Sequence, residues 1–393
     1  MLTHSRRVAT DQLAGIAAQV AFGSPAIVAS LVLARLADLR LIHDLAIAFG
    51  LTATVFVAAS FNLSQYLALW GLRDFSTDAF WANRAVSASA ASVIAVILLR
   101  WYGVDPHLAV LASLMKFTDS FADLRFGLRL LTGSTHDAMR LLLRWSLARV
   151  GIFMVGTFAA AALGWTGERA LLVGGVLQFV CLMPWRTAPR VRMDRSTIRS
   201  ASELGRGAAH LAVAATASGL LVTTPRLIIP GLAPLGDLGY YGIVFVASTV
   251  IGMSFNVAWF RLASATRDSD PLGALRQFLL EGAVLTVLLL GGLWLSVPLV
   301  ARLYGTDATS LGAVFVPVGA ALVVLYFVMA LANMLKTARY RLLESTAYLA
   351  AAASLVGFAE LFHSLIAGIL VASLVLAGFV VGGVQSVRRL VRS

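Results

Sequence analysis

Runs of about twenty apolar residues follow one another along this chain from Leu13 to Val387. That recurrence constrains the fold more than any other feature. In hydrocarbon every backbone N–H and C=O must find its partner inside the protein, so a run of this length crosses as an α-helix. Strand-sized alternating segments are absent, which excludes a barrel. Only 13% of the residues are charged and 59% are hydrophobic, against about 25% charged in soluble domains. The reading is an all-α polytopic membrane protein with about twelve spans.

One run is different. His107 to Leu131 is apolar enough to cross only if Lys116, Asp119 and Asp123 cross with it. At about 100° per residue these three fall in one sector of a helix, while Arg125 and Arg129 point away. Ionisable groups facing lipid cost several kcal/mol, so this sector must face protein or a wet cavity. Two readings stand: a functional charged face, and a buried ion cluster that only sets helix packing.

The other spans are read at about Leu13–Val32, His43–Leu63, Ala85–Tyr102, Arg140–Leu163, Ala170–Pro184, Gly207–Ile229, Leu238–Leu262, Phe278–Leu303 and Leu311–Met334, with two more up to Val387. Gly23-Ser24-Pro25 interrupts the first, and Arg73–Arg84 is read as a polar amphipathic stretch before the third. Met1–Gln12 is short and polar with no small-residue cleavage site behind it, so the first span is expected to be retained. The segment 186–206 carries six arginines against Asp194 and Glu203 and is the expected basic cytoplasmic linker. It separates an N-terminal six-helix lobe, 1–185, from a C-terminal one, 207–393.

The net charge of +12 sits mostly in loops, as orientation signals do, and nucleic acid is not an expected partner. Arg6, Arg7, the six linker arginines, Arg267, Arg276, Lys336, Arg339, Arg341, Arg388, Arg389 and Arg392 fall on one side. The positive-inside rule puts that side, and both termini, in the cytoplasm. A faint repeat joins the halves: Ser60-Phe61-Asn62 recurs as Ser254-Phe255-Asn256, and Leu36-Ala37-Asp38-Leu39 is echoed by Leu232-Ala233-Pro234-Leu235. Parallel repeats of this kind are related by an axis along the membrane normal.

Three stretches carry a resemblance to a known family. They are Lys116–Gly127; Arg226-Leu227-Ile228-Ile229 through Leu238-Gly239-Tyr240-Tyr241; and Leu303-Tyr304-Gly305. In their order and spacing these are similar to the polysaccharide and O-antigen (lipid-linked oligosaccharide) flippases of the multidrug/oligosaccharidyl-lipid/polysaccharide exporter superfamily. One departure stands out, because Pro225 occupies a place where relatives often have an acid. The resemblance implies two pseudo-symmetric six-helix lobes around a central cavity that opens alternately to each side. It implies a multi-pass protein of the bacterial inner membrane that takes undecaprenyl-pyrophosphate-linked oligosaccharide from the cytoplasmic to the periplasmic leaflet. Its partners would be that lipid-linked oligosaccharide, membrane lipids, and a polysaccharide polymerase with other assembly proteins.

Such a cargo needs a wet path with positive charge. Arginine stays charged in a membrane and holds phosphate oxygens through a planar fork. The candidates for substrate binding are Lys116, Arg149 (roughly 14 Å into its span at 1.5 Å per residue), Arg226, and Arg35 at the outer mouth. Arg226 lies near a helix end and has snorkelling to the interface as its plain alternative. Asp119 and Asp123 are the candidates for ion coupling, to protons or to sodium ions; no other cofactor is expected. Two rival functions remain: an ion-coupled exporter of cationic small molecules with the same architecture, and a membrane polysaccharide polymerase or ligase. An enzyme is not expected, since no Walker loop exists and His210 and His363 show no metal-ligand spacing. Asp268-Ser269-Asp270 reads as a loop or cap and Gly378–Gly382 as a close helix contact, while the lone Cys181 excludes an intramolecular disulfide and lacks the partners of a metal site.

Overall fold

Each break between apolar runs is built from residues that stop one helix and start the next. A computed structural model describes residues 25–35, 39–59, 63, 66–67, 72, 75–132, 135–182, 194–265, 271–334 and 341–392. In these residues the chain forms α1 (Pro25–Arg35), α2 (Arg40–Ala59), α3 (Thr77–Trp101), α4 (Pro106–Thr132), α5 (Thr135–Ala162) and α6 (Gly167–Cys181). There follow α7 (Arg195–Ile228), α8 (Leu238–Ala265), α9 (Pro271–Tyr304), α10 (Ala308–Met334), α11 (Arg341–Leu361) and α12 (Leu365–Arg392). The described residues contain no strand. Eight of these helices are long and apolar enough to cross a membrane; α4 falls outside that group because of its charges.

Four turns share one design. Gly103 (φ 75°), Gly164 (φ 82°), Gly305 (φ 68°) and His363 (φ 46°) take the left-handed conformation just past α3, α5, α9 and α11. In three of them a capping side chain then opens the next helix; Thr166, ahead of α6, makes no such hydrogen bond. Asp105 Oδ1 accepts from the N–H groups of His107 and Leu108, with Pro106 at the first helical position. Asp307 accepts from the Ser310 N–H, and Ser364 from the Ala367 N–H. The α3–α4, α5–α6, α9–α10 and α11–α12 pairs are therefore tight hairpins.

Contacts divide the described residues into two units, one from 1–37 and 47–219, the other from 38–46 and 220–393. In the first, α4 is the hub, packed on α3, α5 and α6. In the second, α10 holds the same place among α8, α9 and α12.

Several helices begin earlier than expected. α7 starts at Arg195, inside the segment read as linker, because Ala201, Leu204, Ala208 and Leu211 form an apolar stripe. Leu204, Ala208 and Leu211 pack against Phe80, Trp81 and Phe121 of the first unit. The Asp194 carboxylate caps this helix, accepting from the Thr197 N–H and the Ser196 hydroxyl, which hold it below the usual carboxylate range. The cap is thus intact at neutral pH and is lost only as pH falls through that lowered value. α3 likewise begins at Thr77, capped by Ser76, so half of the expected amphipathic stretch is buried helix. Gly23, Ser24, the Ser60–Asn62 repeat, residues 186–193, Asp268–Asp270, Lys336 and Arg339 lie outside the described residues.

Helices α5 and α6 touch backbone to backbone. A Cβ at Gly174 would meet the Phe153 carbonyl oxygen at 2.6 Å and the Thr157 hydroxyl, and one at Gly156 would meet the Gly174 Cα at 2.9 Å. Gly174→Val should cost about 1–3 kcal/mol and lower the thermal midpoint in detergent. Gly151→Ala, with open space around it, should leave that midpoint unchanged.

Candidate functional site

On α4, Lys116, Asp119 and Asp123 do share one sector, and each is engaged from a different direction. Arg149 of α5 reaches Asp119 at 2.6 Å, and Lys116 reaches the other oxygen of the same carboxylate at 3.4 Å. Side-chain exposure is 3% for Arg149, 7% for Asp119 and 22% for Lys116, so the lysine is the open edge of a buried triad. The Arg149 guanidinium also lies over the Trp145 ring, 5.4 Å from its centroid. One turn further along α4, Asp123 is met by Arg84 of α3 at 3.6 Å. Arg84 is 1% exposed and Asp123 is 43% exposed.

This arrangement follows from the sequence. Arg84 lies on the stripe Phe80, Trp81, Ala88 and Ala91, the buried face of α3, so its charge has to meet an acid there. Phe117 and Phe121 flank the acids, and Phe121 stacks on Trp81 at 6.0 Å. A buried ion pair gains little net stability over apolar packing, but removing one partner leaves an expensive unpaired charge.

Arg226 belongs to the second unit. Its guanidinium donates to the carbonyls of Val222 and Phe245 and to the Ser248 hydroxyl, all at 3.3–3.4 Å, and sits over the Phe245 ring. Tyr326 of α10 adds its hydroxyl to the same charge. Snorkelling therefore does not describe it, since Arg226 is 5% exposed and packed between helices. Its own carbonyl is also special. In a helix that oxygen would accept from the residue four further on, but Pro230 has no N–H. His43 of α2 supplies the donor, Nε2 to oxygen at 3.2 Å, which fixes the Nε2–H tautomer of the ring.

Of the expected site residues, Lys116, Arg149 and Asp119 thus come together, and Asp123 lies beside them with Arg84. Arg226 has its own surroundings, and Arg35 is exposed at the end of α1. The reading from sequence missed Arg84 and His43. Arg84 could have been found from its apolar neighbours three and four residues away. No group of three metal-ligating side chains lies together among the described residues.

No family model matches the sequence, and no curated protein is significantly similar to it. Solved structures do match over nearly the whole chain. A Vibrio cholerae MATE transporter superposes with TM-score 0.59 at 13% identity, covering 98% of this chain and 97% of its own. An inward-facing multidrug resistance MATE family transporter of the MOP superfamily gives 0.55 at 13%, with 98% and 96% covered. A MOP superfamily transporter from Pyrococcus furiosus gives 0.57 at 13%, with 97% and 95% covered. The fold is that of the MATE transporters. The MATE-type fold has two lobes, in accord with the expected class, and none of these neighbours is an enzyme.

Asp119→Leu should destabilise the protein by about 3–5 kcal/mol by stranding Arg149. Adding Arg149→Met should return part of that loss, with a coupling of about 0.5–3 kcal/mol in a double-mutant cycle read by thermal unfolding. Purely additive losses would mean that the two groups do not act as a pair.

Proposed function

We propose that this protein is a MATE-fold transporter whose cargo carries negative charge, and that the cargo is a lipid-linked oligosaccharide with a pyrophosphate head. One observation carries the reading. The buried charges among the described residues are three arginines, Arg84, Arg149 and Arg226, and one aspartate, Asp119. Lys116, at the open edge of the triad, adds one positive charge and Asp123, the partner of Arg84, one negative, so the balance stays positive. A low-dielectric interior with surplus positive charge attracts phosphate and repels a cation. The resemblance of Lys116–Gly127 and of the Arg226 segment to the flippases points the same way.

In this reading Lys116 and Arg149 contact the head in the first unit, and Arg35, of the same unit, and Arg226, of the second, are the other contacts proposed. Asp119 and Asp123 serve as counter-charges that a coupling proton or sodium ion could occupy. Alternating access would deliver the head from the cytoplasmic to the outer leaflet of the inner membrane, while the tail stays in hydrocarbon.

A second reading is favoured by the fold neighbours, two of which are described as multidrug resistance MATE family transporters. It makes this chain an ion-coupled exporter of cationic small molecules, with Asp119 as the cation's partner. The Pyrococcus furiosus neighbour is described as having a binding pocket of reverse polarity that suggests a different function, so the fold tolerates either sign.

Reconstitution into liposomes separates the two. With a short-chain polyprenyl-pyrophosphate glycan, the native protein should make the glycan accessible on the far leaflet. Lys116→Ala should slow this about tenfold, the loss of one charge-assisted contact of roughly 1.5–3 kcal/mol, and Lys116→Glu should abolish it. Efflux of a lipophilic cationic dye without movement of the glycan would overturn the proposal in favour of the second reading.

A further inference from the structure

Beside the triad, the first unit carries a groove of about 520 Å³ between α3, α4 and α6. Ser89, Ser92 and Val96 form one wall, Leu114 and Phe117 the other, and Phe179 closes the end. Phe117 and Phe179 meet edge to face at 5.6 Å. Two of its three serines add little polarity: Ser92 donates to the Ala88 carbonyl at 2.9 Å, and Ser113 donates to the Ser92 carbonyl at 3.2 Å. Hydroxyls turned inward in this way leave carbon atoms facing the groove. Val93 and Ile97, 61% and 59% exposed, flank it on the outer surface of a membrane-spanning helix. An occupant can gain little from hydrogen bonds here and much from dispersion.

We infer that this groove binds the isoprenoid tail of the cargo, with the anionic head at Lys116. The inference rests on the proposed lipid-linked cargo and adds where its tail is held. Two placements support it. Phe117, which lines the groove, is the residue next to Lys116, so the two side chains lie about 100° apart on one turn of α4. A tail along Phe117 therefore brings a phosphate to the exposed edge of the triad, where the lysine is only partly spent on Asp119. In addition, a methyl-branched chain fills a wide groove with more contacts than a straight acyl chain does, and contact number sets dispersion energy. The size also falls within the roughly 300–1,000 Å³ of ordinary small-ligand sites.

The test is a binding measurement that needs no transport. The native protein is placed in liposomes with a diazirine-bearing polyprenyl phosphate, irradiated, digested and read by mass spectrometry. Label should concentrate on the α3 segment around Ser92–Val96 and on Leu114–Phe117. Unlabelled polyprenyl phosphate should displace it, and phosphatidylglycerol should not. Val96→Trp, and separately the milder Ser92→Leu, should cut groove labelling about tenfold, a change of 1.4 kcal/mol. Label spread evenly over the lipid-facing helices, equal displacement by phosphatidylglycerol, or no response to either substitution would overturn the inference. The flipping assay keeps the two ideas apart. A labelled groove without glycan translocation removes the flippase reading and leaves the tail site, whereas translocation without groove label removes the tail site alone.

Discussion

Lipid does not tolerate the charges of α4 unless other helices answer them, and the first unit is built on that constraint. Asp119 is answered from α5 by Arg149, and Asp123 from α3 by Arg84. Lys116 completes the first pair from within α4 itself. Apolar packing brings these helices together, but it does so without much sense of rotation. Ion pairs from one sector of α4 to two neighbouring helices fix how it is turned, since a rotation of one residue would take both acids from their partners. The neighbouring aromatic contacts, Trp81 on Phe121 and Phe117 on Phe179, hold the same register.

The second unit repeats the hairpins and the hub but not the charge. Helix α10 occupies the place of α4 and carries no Asp, Glu, Lys, Arg or His; its polar side chains include Tyr326, near Arg226, and Asn333, with Tyr348. Two units of one design thus differ in electrostatics, which concentrates acid–base chemistry in the first. Arg226 is the counterpart in the second, held by carbonyls, a hydroxyl and aromatic rings. A cation solvated by neutral dipoles keeps its charge available to an anion, while one paired with a carboxylate has to exchange partners first. The two units therefore hold their buried arginines in two chemically different ways.

Much of this was legible in the sequence, and the unread part has a common cause. Helix periodicity placed Lys116, Asp119 and Asp123 on one face of a span, and the ends of the apolar runs at Tyr102 and Leu303 placed two of the turns. Those signals are local. Arg84 was passed over because Arg73, Asp74, Asp78 and Arg84 together read as a solvated stretch, although Phe80, Trp81 and Ala88 already defined a buried face. The start of α7 was hidden in the same way by the six arginines of the expected linker, of which Arg195, Arg199 and Arg206 lie on the exposed side of the helix. His43 could not be paired with Arg226 from sequence, since the need for a donor is local to Pro230 but its source lies 183 residues away from Arg226. Whether Lys116, Arg149 and Arg226 serve one cargo is likewise a matter of tertiary placement, which no periodicity encodes.

The composition of α4 also bears on how the protein is made. A ribosome delivers helices in order, so α4 emerges after α3 and before α5. At that stage Arg84 is present to answer Asp123, but the arginine for Asp119 has not yet been synthesised. Alone in the bilayer, α4 would hold an unanswered carboxylate near its middle, with only Lys116 close by. The stable course is for α4 to wait at the insertion machinery until α5 and α6 arrive, and then to enter lipid together with them. The unit of insertion is accordingly larger than one hairpin.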